Sequence, residues 1–313
     1  MVFYPELLDP ALRAEDFETR RRELVDVLAR NEYGFMPEDP DRVLVTDRCA
    51  PEDTFCGHAT VYRQTLTCAV AGGEFSFPFV LYVPKSERPV PAFAFMNFRR
   101  DEVDRYFPAE EIIDAGFAVA MVCYTDVEND DNAPPTGLQK LFARKNDGTD
   151  PGRISVWAWA QSRLVDVLAG REDVDADNIA VIGHSRLGKT ALWCAANDTR
   201  VRYAVSNDSG CSGAAYERVK HPGSETLADI TKVFPHWFCE NFPTFAGREN
   251  ERPFDQHFLI AACAPRYVLV GSASLDAWAD PASERLSLVA ASPAWELLGK
   301  RGFVGKTVSP KVG

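Results

Sequence analysis

The segment from Asn178 to Trp193, NIAVIGHSRLGKTALW, constrains the fold more than any other part of the chain. Ile179–Ile182 is a short apolar run of the kind buried on both faces of a parallel sheet. From Arg186 to about Ala196 the pattern is that of an amphipathic helix. Only Gly183, His184 and Ser185 lie between. A strand that becomes a helix so abruptly puts Ser185 on a tight corner at the helix start. The first amides and the partial positive charge of the helix then face a site where an oxyanion could develop. Gly183 stands two residues before the serine, as in a nucleophile elbow. Gly188 stands three after it rather than two, so the general GxSxG pattern is missed by one place. A serine at a helix start can also be a plain N-cap, so the reading leans on the flanking strand and helix.

The rest of the chain gives that corner a setting. Residues 14–31 have the spacing of an amphipathic helix. Alternating or apolar runs at Val43–Thr46, Thr60–Ala69, Phe75–Val83 and Pro91–Asn97 predict strands, and Phe117–Tyr124 predicts a fully buried one. Residues 126–152, rich in Asp, Asn, Pro and Gly, read as a long loop. Ile154, Trp157, Ala158, Gln161, Leu164, Val165 and Leu168 recur at helical spacing. After the corner come a strand at Val201–Ser206, an irregular stretch at 208–254, a helix near Gln256–Ala262, a strand at Tyr267–Gly271 and a helix near Pro281–Leu298. Antiparallel-looking strands followed by strand–helix units predict an α/β fold with helices on both faces of a mostly parallel sheet. With no repeat and no low-complexity linker, residues 1–313 read as one domain.

Composition narrows the function classes. With 46% hydrophobic and 26% charged residues the chain can bury a sizeable core. A net charge of -12 argues against nucleic acid or an anionic membrane as partner. No apolar run approaches the ~20 residues needed to span a bilayer, and the N-terminus shows no basic-then-apolar leader. As given, an intracellular location is expected; secretion or a periplasmic location follows if a leader was removed. The eight cysteines form no CxxC pair, and Cys123, Cys194 and Cys263 lie in apolar segments as small buried hydrophobes. An even count permits disulfides without requiring them. No HExxH, P-loop or strand-linked GxGxxG is present, so no metal or cofactor is expected.

GHSRLGK, SNDSGCSGAA, FPHWFCENF, DQHFLIAACAPR and WADP occur in that order, and the chain from about 15 to about 300 resembles the glucuronoyl esterase family, carbohydrate esterase family 15, in particular its bacterial members, often described as acetylxylan esterases. The resemblance implies an α/β-hydrolase three-layer sandwich and a serine–acid–histidine triad. The implied reaction cleaves the ester between a 4-O-methyl-glucuronic acid branch of xylan and a lignin alcohol. Ser185 would be the nucleophile. Arg186 would place a charged donor beside the oxyanion, and Lys189, one helical turn beyond Ser185, would bind sugar hydroxyls. For the triad acid two positions stay open: Asp208, 23 residues beyond Ser185 where many members carry Glu, and Asp276 after the next strand. Asp208 is favoured. Glu225 and Trp237 match positions that contact the hydroxyls and ring face of glucuronate. Asn97 and Phe98 lie where a hydrolase usually offers a backbone amide to the oxyanion.

The histidine departs from the pattern. The family carries it on a loop after the last strand, whereas here no histidine follows His257. The chain as given is therefore expected to lack the last strand and the histidine loop. Three explanations stay open: a truncated chain, which is favoured, a base from elsewhere in the fold, or an inactive uronate-binding relative. His184 is expected to pack away from the elbow, and His236 is the least poor substitute. A carbohydrate deacetylase is the alternative among enzymes.

Overall fold

The first strands of the chain pair antiparallel, and the later strands, joined by helices, pair parallel, within one sheet. The computed structural model describes residues 5–305, apart from 103 and 105. Among the described residues the sheet has nine strands: β1 Arg42–Asp47, β2 Glu52–Thr54, β3 Ala59–Val70, β4 Gly73–Pro84, β5 Val90–Asn97, β6 Ala118–Cys123, β7 Val174–His184, β8 Tyr203–Asn207 and β9 Tyr267–Gly271. Their order is β1-β3-β4-β6-β5-β7-β8-β9, with β2 pairing only β3. Pairs from β1 through β4 to β6 are antiparallel, and those from β6 through β5, β7 and β8 to β9 are parallel. The helices are α1 Phe17–Leu28, α2 Ala109–Asp114, α3 Arg153–Ala169, α4 Arg186–Asn197, α5 Leu227–Val233, α6 His257–Ala261 and α7 Pro281–Leu297. The fold is α/β, with the expected mostly parallel mixed sheet. Among the described residues no helix is long and apolar enough to cross a membrane.

The period-2 alternation of β6 divides the core. Ala118, Ala120 and Val122 face a large cluster built with α1, α3, α4 and α6. Val119 and Met121 face a smaller one, with Phe107, Ala109 and Ile113 at and before α2. The layer on the second face is thin among the described residues. At the β8–β9 end Tyr267 is 55% and Leu269 62% exposed on it, with Tyr203 and Tyr267 stacked at 5.0 Å. The expected shortfall beyond α7 concerns chain that includes residues 306–313, outside the described residues, as are the first four residues of the N-terminal segment read for a leader.

Several local expectations shift. The helix read over 14–31 is a short 3-10 turn, then α1, then a π turn at Ala29–Tyr33. β7 begins at Val174, earlier than its apolar run. The stretch at 208–254 contains α5, started by a capping box of Thr226 and Asp229. The loop at 126–152 is long, as expected, but it is braced. The buried Glu128 carboxylate accepts from the amides of Thr136 and Gly137 at 2.8 Å, and from that of Gln139 at 2.8 Å. Asp150 accepts from those of Lys145 and Asn146. All eight cysteines are free thiols, with Cys123, Cys194 and Cys263 buried as expected.

Candidate active site

The corner after β7 is an elbow. Ser185 takes φ 55, ψ -123, a conformation costly for a residue with a Cβ, and stands as the N-cap of α4 without a capping bond from its side chain. The strain persists because its neighbours leave no alternative. A Cβ on Gly183 would collide with the Leu187 carbonyl, and one on Gly188 would press on Ser206 and Ser209 at 3.0 and 3.1 Å. The glycine three places after the serine therefore lets the first turn of α4 lie against the segment after β8. The Ser185 amide donates to the Asn207 carbonyl at 2.8 Å, which fixes the corner to β8.

A cavity of about 200 Å³ opens over Ser185, at the carboxyl ends of the parallel strands, where open α/β sheets bind ligands. Arg186, Lys189, Asp208, Glu225, Trp237 and Asp276 all line it with Ser185, whereas Asn97, Phe98 and His236 do not. Lys189 is buried. Its Nζ donates to the Ser209 carbonyl and lies 6.0 Å from the Trp237 ring. Burial lowers its pKa and the Glu225 charge opposes that shift. Burial likewise raises the Glu225 carboxyl, with Lys189 opposing. The two charges face one cavity with Lys189 tied to backbone rather than to Glu225. Asp208, itself at φ 43, accepts from the Ala273 amide at 2.6 Å. Asp276 accepts from the Ala279 amide at 3.1 Å.

Arg186 is held in an aromatic and acidic cradle. Its guanidinium pairs with Asp130 and lies 4.7 Å from the Trp237 ring, 5.4 Å from Phe234 and 5.6 Å from Phe98. The backbone amide expected to serve the oxyanion is engaged elsewhere: Phe98 N–H donates to Asn97 Oδ1 at 2.8 Å. In this arrangement the donors near Ser185 are the Arg186 and Leu187 amides that open α4, those of Gly188 and Lys189 being bonded to the Ser185 carbonyl, and the guanidinium paired with Asp130.

Two assignments change. Trp237 lines the cavity, but one face of its ring stacks on Phe234 at 3.9 Å and the ring also lies against Arg186, so it has no free face for a sugar. Trp278, 55% exposed, is the tryptophan that offers an open ring to the cavity. The WADP motif contained it, but a lone exposed indole has no sequence signature. His184 does not pack away from the elbow. It is exposed, and it is the one histidine lining the cavity, with Nδ1 2.8 Å from Asn207 Nδ2. His236 is committed elsewhere, Nε2 to Asp130 at 3.0 Å and Nδ1 to Asn132 at 2.7 Å. His257 is buried and donates toward the Pro5 carbonyl at 3.2 Å. Among the described residues no side chain bonds the Ser185 hydroxyl.

The chain as a whole is similar to known proteins. A family model described as "Glucuronyl esterase, fungi" matches residues 66–299. The carbohydrate esterase MZ0003, from an unknown prokaryotic organism, is 33% identical over 334 residues, covering 92% of this chain and 76% of that protein. The 4-O-methyl-glucuronoyl methylesterase of Podospora anserina is 27% identical over 295 residues, covering 91% of this chain but 57% of its own length. The solved glucuronoyl esterase from Solibacter usitatus superposes with a TM-score of 0.87 at 30% identity, covering 99% of this chain and 89% of that one. Since the family model takes in most of the sheet together with the elbow and the cavity walls, the chain belongs to the glucuronoyl esterase family.

Proposed function

We propose that the cavity hydrolyses carboxylic esters of a glucuronate-type sugar, with Ser185 as nucleophile. The observation that carries this reading is the Arg186 guanidinium, fixed in the wall beside a strained Ser185. The fungal relatives, 4-O-methyl-glucuronoyl methylesterases, support the same ester class. Ser185 Oγ attacks the ester carbonyl carbon, and the carbonyl oxygen becomes an oxyanion facing Arg186 and the start of α4. The alcohol leaves with a proton, water cleaves the acyl-enzyme, and the uronic acid departs. Lys189 and Glu225 bind ring hydroxyls, and Trp278 covers the ring face. Asp208 is the favoured acid, since Asn207 Nδ2 reaches both its Oδ2, at 3.3 Å, and the cavity histidine His184.

The experiment is acid release from methyl or benzyl glucuronate, compared with an acetylated xylose of similar size. Release from the uronate ester, lost in Ser185→Ala, is the expected result. Faster cleavage of the acetyl ester would replace the reading with a deacetylase. A second reading is favoured by the unbonded Ser185 hydroxyl: a uronate-binding protein without turnover. Calorimetric binding of glucuronate with no acid release and no labelling of Ser185 by a fluorophosphonate would establish it instead.

A further inference from the structure

The loop at 126–137 has no role in the chemistry described so far, yet it ends against the active site. Its Asp130 side chain is almost fully buried and gathers four donors on two oxygens. Trp237 Nε1 donates to Oδ1 at 2.6 Å and His236 Nε2 lies 3.0 Å from the same oxygen. Tyr124 O–H donates to Oδ2 at 2.9 Å, and Arg186 pairs with Oδ2 as well. Burial raises the carboxyl pKa, but the bonds from His236 and Trp237, the Arg186 charge and the Tyr124 bond outweigh it, so the group stays well below the usual carboxylate range. Asp130 is thus an anion at any working pH.

The loop is rigid enough to act as an anchor. Glu128 braces it from within, and Trp157 of α3 donates to the Glu128 carbonyl at 3.4 Å. Tyr124 rests edge-on against Trp157 at 5.1 Å. Arg186, by contrast, is 25% exposed and carries a long side chain. A free arginine of this kind has considerable rotamer entropy to lose on being ordered. With the Phe98 amide occupied by Asn97, a guanidinium that strays leaves the oxyanion only the helix start.

We propose that Asp130 is a positioning residue that fixes the Arg186 guanidinium beside Ser185, so that the oxyanion donor is ordered before substrate arrives. The inference rests on the reading of Arg186 as that donor. It touches no reacting atom, so its effect passes entirely through Arg186.

The test is a double-mutant cycle on the rate at which a fluorophosphonate labels Ser185, with thermal denaturation alongside. Loss of an oxyanion donor costs ~10²–10³ in rate, and Asp130→Asn should cost about tenfold or more of that in the wild-type background. In the Arg186→Ala background the same substitution should change nothing. Equal slowing in both backgrounds would mean a merely structural role, and labelling of Asp130→Asn at the wild-type rate would overturn the proposal outright. Should Asp130→Asn fail to fold, Tyr124→Phe removes a donor from the oxygen that Arg186 uses, and the same cycle applies with a smaller expected loss. The probe carries no sugar. Labelling that obeys the cycle while glucuronate esters go uncut would sink the substrate reading and leave this one standing. Absence of labelling in the wild type, or wild-type labelling of Arg186→Ala, would overturn both.

Discussion

Arg186 meets two opposed demands: its charge must face a cavity, yet its side chain must keep one rotamer. Aromatic rings and the Asp130 carboxylate meet the second without burying the first. A lysine in its place would keep the charge but lose the planar fork and the stacking. Arg186→Lys is therefore expected to lose ~10²-fold in kcat/KM for a glucuronate ester, with KM nearly unchanged; a KM effect alone would assign Arg186 to ground-state binding. Ser185 poses the complementary problem. A hydroxyl without a base is a weak nucleophile at neutral pH, and among the described residues none bonds it. Added imidazole should speed ester hydrolysis by Ser185-bearing protein, with no effect on Ser185→Ala. A rate independent of imidazole would point to an internal base, with His184 the histidine to substitute first.

At the scale of elements, the site depends on how closely α4 and α7 approach the ends of β8 and β9. Gly183 and Gly188 allow the first approach, and Gly183→Ala should destabilise by about 3 kcal/mol, the upper range for forcing a methyl into a packed site. Thermal denaturation checks this, and an unchanged Tm would refute the collision with the Leu187 carbonyl. The second approach is made by Glu284 of α7, which is fully buried. Its Oε1 accepts from the Gly210 amide at 2.9 Å and its Oε2 from the Ser272 hydroxyl. One carboxyl group thereby ties the loop of Asp208 to the loop of Asp276, and Ser209 in the first loop holds Lys189. Glu284→Ala strands those donors, a cost of ~1–3 kcal/mol. It should weaken glucuronate binding more than Glu284→Gln, which keeps an acceptor; equal binding by the two would deny Glu284 this role.

For the molecule as a whole, two buried groups set opposing pH slopes. Burial pushes the Glu32 carboxyl up from 4.5 to about 8, with Gln256 as its amide partner at 2.9 Å. Glu32 takes up a proton on folding throughout that window, so it costs stability as pH rises through it. Burial lowers His257 from 6.5 to about 4. It sheds a proton on folding there, and stability falls as pH drops from 6.5 to 4. The slopes oppose each other where the windows overlap, and above pH 6.5 only the Glu32 slope of the two remains. Stability should fall by about 2 kcal/mol between pH 6.5 and 8. Glu32→Gln should flatten that decline in Tm; an unchanged slope would show that another group titrates.

Much of this could be read from local pattern. Period-2 alternation marked β3, β4 and β5, and a continuous apolar run marked β6, because a strand's burial is printed on its own residues. The elbow was legible for the same reason, since strand, corner and helix are contiguous. The cavity walls at Lys189, Asp208, Glu225 and Asp276 came from motif order rather than from any local signal. What tertiary structure alone decided was partnership. Asp130 and Arg186 are 56 residues apart, Ser209 and Glu284 75 apart, and an aspartate in a polar loop looks the same whether it is solvated or gathers four donors. Which tryptophan keeps a free face, and which histidine reaches the cavity, likewise follow from neighbours that meet only when the sheet closes. Local sequence dictates backbone and burial period; the pairing of charges and rings depends on long-range packing that no short window contains.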